Sequence, residues 1–388
     1  MRVALIATEK LPVPPVRGGA IQLYIDGILP YLTSHHDVTV FSVNDEQLPA
    51  ESELAGAKVV RLLDTRYHQN VAEALRQAEF ELLHIFNRPT WVVEFAAARP
   101  EARRIVSLHN EMFESDKISA ENAAACLEAT DKVVTVSRFI AEGVAARYPQ
   151  AAPKTRVVYS GVDPEIYLPR WHPRARQLRV KLARRLGFDP DAPIVLNVGR
   201  LSPKKGSHLI IQAMDTVHER FPEAVLIIVG SKWYGETEWD EYGQYLMRMA
   251  ARSPGRIFLT GFVPPGEIPA YYSSADVFVC ASQWPEPLAR VHYEAMAAGL
   301  PIITTRRGGN PEVVDGLGNG WVVDEYNDPV ALGTHIALLL EKRELAEEMG
   351  RRGRELAEER FNWKRVADEL LEIYAELEHA EPEGEGQP

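Results

Sequence analysis

Short β-branched apolar runs alternate with longer stretches whose apolar residues recur every three or four positions, from one end of the chain to the other. Val3 to Ala7 is such a run, followed by a helical pattern from Ala20 to Leu32 and a second run from Val38 to Val43. This alternation predicts βαβ units, a parallel sheet covered by helices. It continues through 82-LLHIF-86, 104-RIVSLH-109 and 132-KVVTVS-137, each an apolar strand closing on a polar residue. Those polar ends predict a ligand crevice, because open α/β sheets bind ligands beyond the carboxyl ends of their strands.

Residues 164–193 break the rhythm with prolines and a run of Arg and Lys, and read as an inter-domain connection. Beyond them the pattern restarts: a strand over 194–199, a loop with Pro203 and Gly206, a helix from Ser207, then strands over 225–230, 257–262, 277–281 and 301–305. Two similar doubly wound domains are expected, over 1–170 and 171–361. A last amphipathic helix, assigned to 362–380, carries Trp363, Val366, Leu370, Ile373 and Tyr374 at helical spacing. The acidic tail 381-EPEGEGQP-388 has too few apolar residues to order itself.

Composition narrows the function. With 43 Lys+Arg against 55 Asp+Glu the formal charge is −12, which speaks against nucleic acid as the partner, so any phosphate must be held by a local basic cluster. The basic run Arg170 to Arg185 has the charge for weak peripheral contact with anionic lipid, though a solvated helix face accounts for it as well. Two cysteines, Cys126 and Cys280, leave no disulfide framework and no zinc spacing, which fits a reducing cytoplasm. The first apolar run is too short for a signal-peptide core or a transmembrane segment.

Three segments carry chemistry. In 17-RGGAIQ-22, Gly18 and Gly19 let backbone amides approach an anion at the start of a helix, although a plain strand-to-helix turn explains them equally. In 197-NVGRLSPKKG-206, Arg200 and Lys205 stand on one loop and can converge on a diphosphate; solvated surface cations are the alternative. In 285-PEPLARVHYEAMAAGLP-301, Glu286 lies in the loop after a strand and Glu294 inside a helix expected from Ala289 to Ala298, closed by Gly299 and Pro301. Two carboxylates with helix amides between them suit a nucleotide-sugar: acceptors for hydroxyls, donors for phosphates. Asp189-Pro190-Asp191, the one D-x-D, sits in the Pro-rich connection and is not expected to hold a metal. Trp233 and Tyr234 follow a strand end, where they either line a sugar site or cap the core.

Residues 286–294 resemble the E-x7-E element of the retaining glycosyltransferases of family 4 (group 1 glycosyltransferases), which have the GT-B fold of two Rossmann-like domains facing across a cleft. The resemblance extends to Gly18-Gly19, His109 in SLHN, GRLSPKKG and 308-GGNPEVV-314, and within the family it runs toward the spore coat protein SA type. It implies that Arg200 and Lys205 bind the donor diphosphate, Glu286 meets the donor sugar, Glu294 the ribose, and His109 the transferred sugar. Gly261 to Val263 would hold the base, and Pro287, Leu288 and Ala289 would line the donor. One departure is Ala289, where many relatives have glycine.

The activity implied is transfer of a hexosyl unit, with retention, from a nucleoside diphosphate sugar, a UDP-sugar first, to a hydroxyl of a cell-envelope or spore-surface acceptor. No metal or other cofactor is expected, and the location implied is cytoplasmic or the spore coat. A coat scaffold that keeps the fold and a sugar-nucleotide epimerase are the alternatives. Acceptor choice is expected in the loops 44–58 and 110–123, and the last helix is expected to brace the first domain.

Overall fold

The computed structural model describes residues 1–232 and 239–379. The chain divides into two compact units: Met1–Ser160 with the segment from Trp363 onward, and Gly161–Asn362.

The first unit is built on β1 (Arg2–Ile6), β2 (Asp37–Val43), β3 (Glu51–Leu54), β4 (Ala57–Leu62), β5 (Leu82–Phe86), β6 (Arg103–Leu108), β7 (Lys132–Thr135) and β8 (Thr155–Val157). Their order is β3-β4-β2-β1-β5-β6-β7-β8, with only β3 antiparallel to its neighbour. The inner strands are apolar at successive positions because helices cover both faces. Val3 and Leu5 of β1 join one core cluster, with the helix Ala20–Leu32, while Ala4 and Ile6 join the cluster on the other face.

The helix Trp363–His379 closes the first of these clusters by packing on Ala20–Leu32. Trp363 lies so close over Gly27 that a Cβ there would stand 2.3 Å from the indole, and Tyr24 meets the same ring edge-on at 5.7 Å. Farther along, the Tyr374 hydroxyl bonds His84 Nδ1 at 2.6 Å.

The second unit carries β9 (Ile194–Val198), β10 (Val225–Val229), β11 (Arg256–Leu259), β12 (Val277–Cys280), β13 (Ile302–Thr305) and β14 (Gly320–Val323). Every pair is parallel, in the order β11-β10-β9-β12-β13-β14. The chain winds outward from β9 in one direction and from β12 in the other, so the topological switch lies between β9 and β12. In the first unit the corresponding switch lies between β1 and β5.

Three expectations are corrected. Residues 164–193 are not a bare connection: they contain the helix Pro173–Leu186, capped by His172 and ended by Gly187, with Ala175, Leu182 and Ala183 buried. Residues 161–170 lie with the second unit rather than the first, because Val162 N donates to Phe361 O, Arg170 N to Ala298 O, and the Arg354 guanidinium to the carbonyls of Pro164 and Tyr167. Within the segment 44–58, read as a loop, β3 and β4 pair as a hairpin whose central residues Ala55 and Gly56 both have positive φ, 48° and 83°. Residues 381–388, and Trp233 with Tyr234, lie outside the described residues. Among the described residues no helix is long and apolar enough to cross a membrane.

Candidate functional site

The loops after β9, β12 and β13 leave the same edge of the second sheet, and two glycines let them touch. Gly206 (φ 72°) presses on the end of β12: a Cβ there would lie 1.9 Å from the Ala281 carbonyl oxygen. Gly308 (φ 58°) presses equally on Glu286, where a Cβ would lie 2.0 Å from the main-chain oxygen. Hydrogen bonds lace the loops together: Gln283 N donates to Lys204 O, Arg307 Nε to Gln283 O, and Gly309 N to Glu286 O.

This lacing brings Lys205 and Glu286 into contact at the switch between β9 and β12. Lys205 Nζ stands 2.7 Å from each Glu286 carboxylate oxygen. Ser282 Oγ donates to Oε2 at 3.0 Å and Trp284 Nε1 at 2.8 Å. The Glu286 side chain is 8% exposed and that of Lys205 22%. Burial alone pushes the Glu286 carboxyl up, but the charge and hydrogen bonds of Lys205, with those of Trp284 and Ser282, bring it below the usual carboxylate range. The group is therefore an anion poised to accept hydrogen bonds. Lys204, next to Lys205 in sequence, stacks its ammonium over the Trp284 ring at 5.0 Å.

Arg200 is exposed on the loop that carries Lys205. Glu294 does not join the Lys205–Glu286 pair; it accepts from the buried Tyr272 hydroxyl at 2.8 Å. Val263 is buried just beyond Gly261, whose carbonyl accepts from Gly230 N at the end of β10. Pro287, Leu288 and Ala289 are buried.

The helix expected from Ala289 starts instead at Val291 and ends at Ala297. Ahead of it, Asn310 Oδ1 accepts the Ala289 amide at 3.0 Å, while buried His292 Nδ1 lies 2.8 Å from the Ala289 carbonyl. The segment from Glu286 to Ala289 is thus clasped by side chains from the loop after β13 and from the helix itself. Sequence patterns alone do not single out these side chains: the partner of Asn310 lies 21 residues away on another loop, and the bonds of Ser282 and Trp284 to Glu286, four and two residues on, depend on how their shared loop folds. Asp189 and Asp191 form a turn, Asp191 N donating to Asp189 Oδ1, and Asp191 pairs with Arg176.

In the first unit, Gly18 and Gly19 (φ 82° and 106°) lead into the helix Ala20–Leu32. His109 follows β6; its amide and that of Asn110 both donate to Asn87 Oδ1, and its half-buried ring meets Tyr24 edge-on at 4.9 Å. At the switch between β1 and β5, Arg88 grips Glu9 through two bonds of 2.8 Å over the Trp91 ring, a pair not anticipated from the sequence.

Residues 21–166 match the family model Glycosyltransferase Family 4, and residues 179–356 match Glycosyl transferases group 1. The chain is similar to spore coat protein SA of Bacillus subtilis (strain 168), 44% identical over 374 residues that cover 96% of this chain and 99% of that protein. It is similar, at 31% identity over 93% of this chain and 95% of the other, to the GDP-mannose-dependent alpha-(1-6)-phosphatidylinositol monomannoside mannosyltransferase of Mycolicibacterium smegmatis. In fold it is similar to the crystal structure of Anabaena Alr3699/HepE in complex with UDP-glucose, with TM-score 0.75 at 21% identity over 97% of this chain and 99% of that one. Both halves are matched by these family models and a relative is alike from end to end, so the chain belongs to the group 1 glycosyltransferases of family 4, with the GT-B fold.

Proposed function

We propose that the chain transfers a hexosyl unit, with retention, from a nucleoside diphosphate sugar, a UDP-sugar first, to a hydroxyl of a cell-envelope or spore-surface acceptor. The observation that carries this reading is the Lys205–Glu286 contact at the topological switch of the second unit, where open α/β sheets bind their ligands.

The chemical difficulty is departure of a diphosphate whose negative charge grows in the transition state. A diphosphate beside Lys205 is a stronger partner for its ammonium than one carboxylate, so Nζ turns toward the phosphates, with Arg200 on the same loop as the second cation. Glu286, still held by Ser282 and Trp284, then has acceptor positions for a sugar hydroxyl. Glu294, anchored by Tyr272, is assigned to the ribose hydroxyls and the main chain of Gly261 to Val263 to the base. His109, Gly18 and Gly19 are assigned to the transferred sugar and donor on the family resemblance. A donor phosphate oxygen assists deprotonation of the acceptor hydroxyl, which forms its new bond on the face the diphosphate leaves. In this reading the protein supplies the charge compensation without a metal or other cofactor.

Thermal unfolding in EDTA with UDP, GDP, ADP and their sugars tests the proposal. Uridine diphosphates are expected to stabilise most, since a ligand at 100 times its dissociation constant contributes about 2.7 kcal/mol. A larger shift with GDP-sugars would change the base, and no shift with any nucleotide would remove the donor site.

A further inference from the structure

The opposite edge of the second sheet holds a cavity of about 270 Å³ that the transfer reaction does not use. Pro193 just before β9 and Asp276 and Val277 at the start of β12 form its floor, at the amino ends of the two strands whose carboxyl ends carry Lys205 and Glu286. Four arginines line it, in a chain of net charge −12.

These arginines divide by what already holds them. Arg179 is committed to the framework: its guanidinium donates to the carbonyls of Pro190, Ala192 and Ser274 and to Asp276. Asp276 is committed as well, accepting from Arg179, Arg170 and the Ile194 amide. Arg170 gives one guanidinium nitrogen to Asp276. Arg176 bonds Pro190 O and Asp191, a carboxylate 77% exposed whose grip is correspondingly weak. The side chain of Arg343 makes no hydrogen bond or ion pair among the described residues, and neither does that of Glu347, one helical turn further on. Arg176 and Arg343 also stand in the first turns of the helices Pro173–Leu186 and Arg343–Glu359, whose amino ends add positive potential.

The geometry points to a second ligand site, distinct from the donor site, that takes a small phosphorylated sugar or polyol. A guanidinium fork matches phosphate geometry. Arg343 and Arg176 take the phosphate, with the remaining Arg170 donors behind them, and Glu347 and Asp191 accept from hydroxyls. Carboxylates beside the arginines would oppose a bare anion, which is why a ligand bearing both phosphate and hydroxyls fits this lining better than inorganic phosphate.

Calorimetric titration of the full chain with a hexose 6-phosphate, the free hexose and inorganic phosphate tests this. The hexose phosphate is expected to bind at least tenfold more tightly than phosphate, and the hexose not at all. Arg343→Ala and Arg176→Ala should each weaken it by tenfold or more and leave UDP binding unchanged; both side chains are exposed, and circular dichroism checks that the fold persists. Glu347→Gln should narrow the preference over inorganic phosphate. Absence of hexose phosphate binding, binding that survives both arginine substitutions, or binding lost in Lys205→Ala instead would each overturn the second site.

Discussion

Lys205 and Glu286, 81 residues apart in sequence, form an ion pair in which one ammonium spans both carboxylate oxygens at 2.7 Å. The pair joins the loops after two hydrogen-bonded parallel strands, β9 and β12. Under the proposed function, the same contact is structural before the donor arrives and chemical afterwards.

Removing the cation should cost stability. In Lys205→Ala the Glu286 carboxyl keeps Ser282 and Trp284 but loses its counter-charge in a buried setting, a loss of about 1–3 kcal/mol. Adding Glu286→Gln should restore part of it, because the uncompensated charge is then gone. Urea denaturation of the two single variants and the double variant measures the coupling; strictly additive losses would mean that the pair contributes nothing as a pair.

Arg200→Ala and Lys205→Ala should each weaken nucleoside diphosphate binding while nucleoside binding stays nearly unchanged, since both cations are assigned to phosphate. Their combined effect should fall short of the sum if they grip one diphosphate. Calorimetry that shows equal losses for nucleoside and nucleoside diphosphate would move them off the phosphates.

The two carboxylates should separate kinetically. Glu286→Gln is expected to lower kcat more than it raises the donor KM, because the sugar is where charge reorganises. Glu294→Gln is expected to raise KM with a smaller effect on kcat, because ribose is gripped alike in ground and transition states. Steady-state rates with the reverse partition would exchange the two assignments.

Acid should loosen the first unit before its carboxylates titrate. Burial pushes the His84 pKa down to about 3, and the neighbouring His109 ring adds in the same direction. An unfolded histidine titrates near 6.5, so between pH 6.5 and 3 the unfolded chain binds a proton that folded His84 refuses, and stability falls as pH drops through that window. By pH 5 the loss from this residue reaches about 2 kcal/mol. His36 of the same unit, also depressed by burial, adds a loss of the same sign. Denaturation at pH 7 and pH 5 should show a smaller drop for His84→Gln than for the parent; identical drops would assign the acid sensitivity elsewhere.

What the sequence makes legible follows from burial. β5 and the helix Ala20–Leu32 have the bounds their patterns predict, because strands covered on both faces write continuous apolar runs and an amphipathic helix writes its period. The hairpin of β3 and β4 stays hidden because its outer strand, ESEL, lies at a sheet edge and buries none of its residues fully. The helix Pro173–Leu186 agrees with the reading of the basic run as a solvated helix face, and Pro173 at its first position and Gly187 after its last are ordinary boundary signals. The hold of Asn310 on the Ala289 amide has no local sign, since Asn310 stands on another loop. Of the candidate site, the motif residues were legible one by one; the Lys205–Glu286 contact was not, because strand order decides which loops meet.

If cations of the second unit carry the charge of the departing diphosphate, as proposed, release of UDP from a UDP-sugar should persist in EDTA and depend on Lys205. The parent chain should run within about twofold of its rate in magnesium, and Lys205→Ala should fall on the order of a hundredfold, as expected when one preorganised donor to a developing anion is lost. A rate that collapses in EDTA and returns with magnesium or manganese, or a Lys205→Ala variant as fast as the parent, would contradict it.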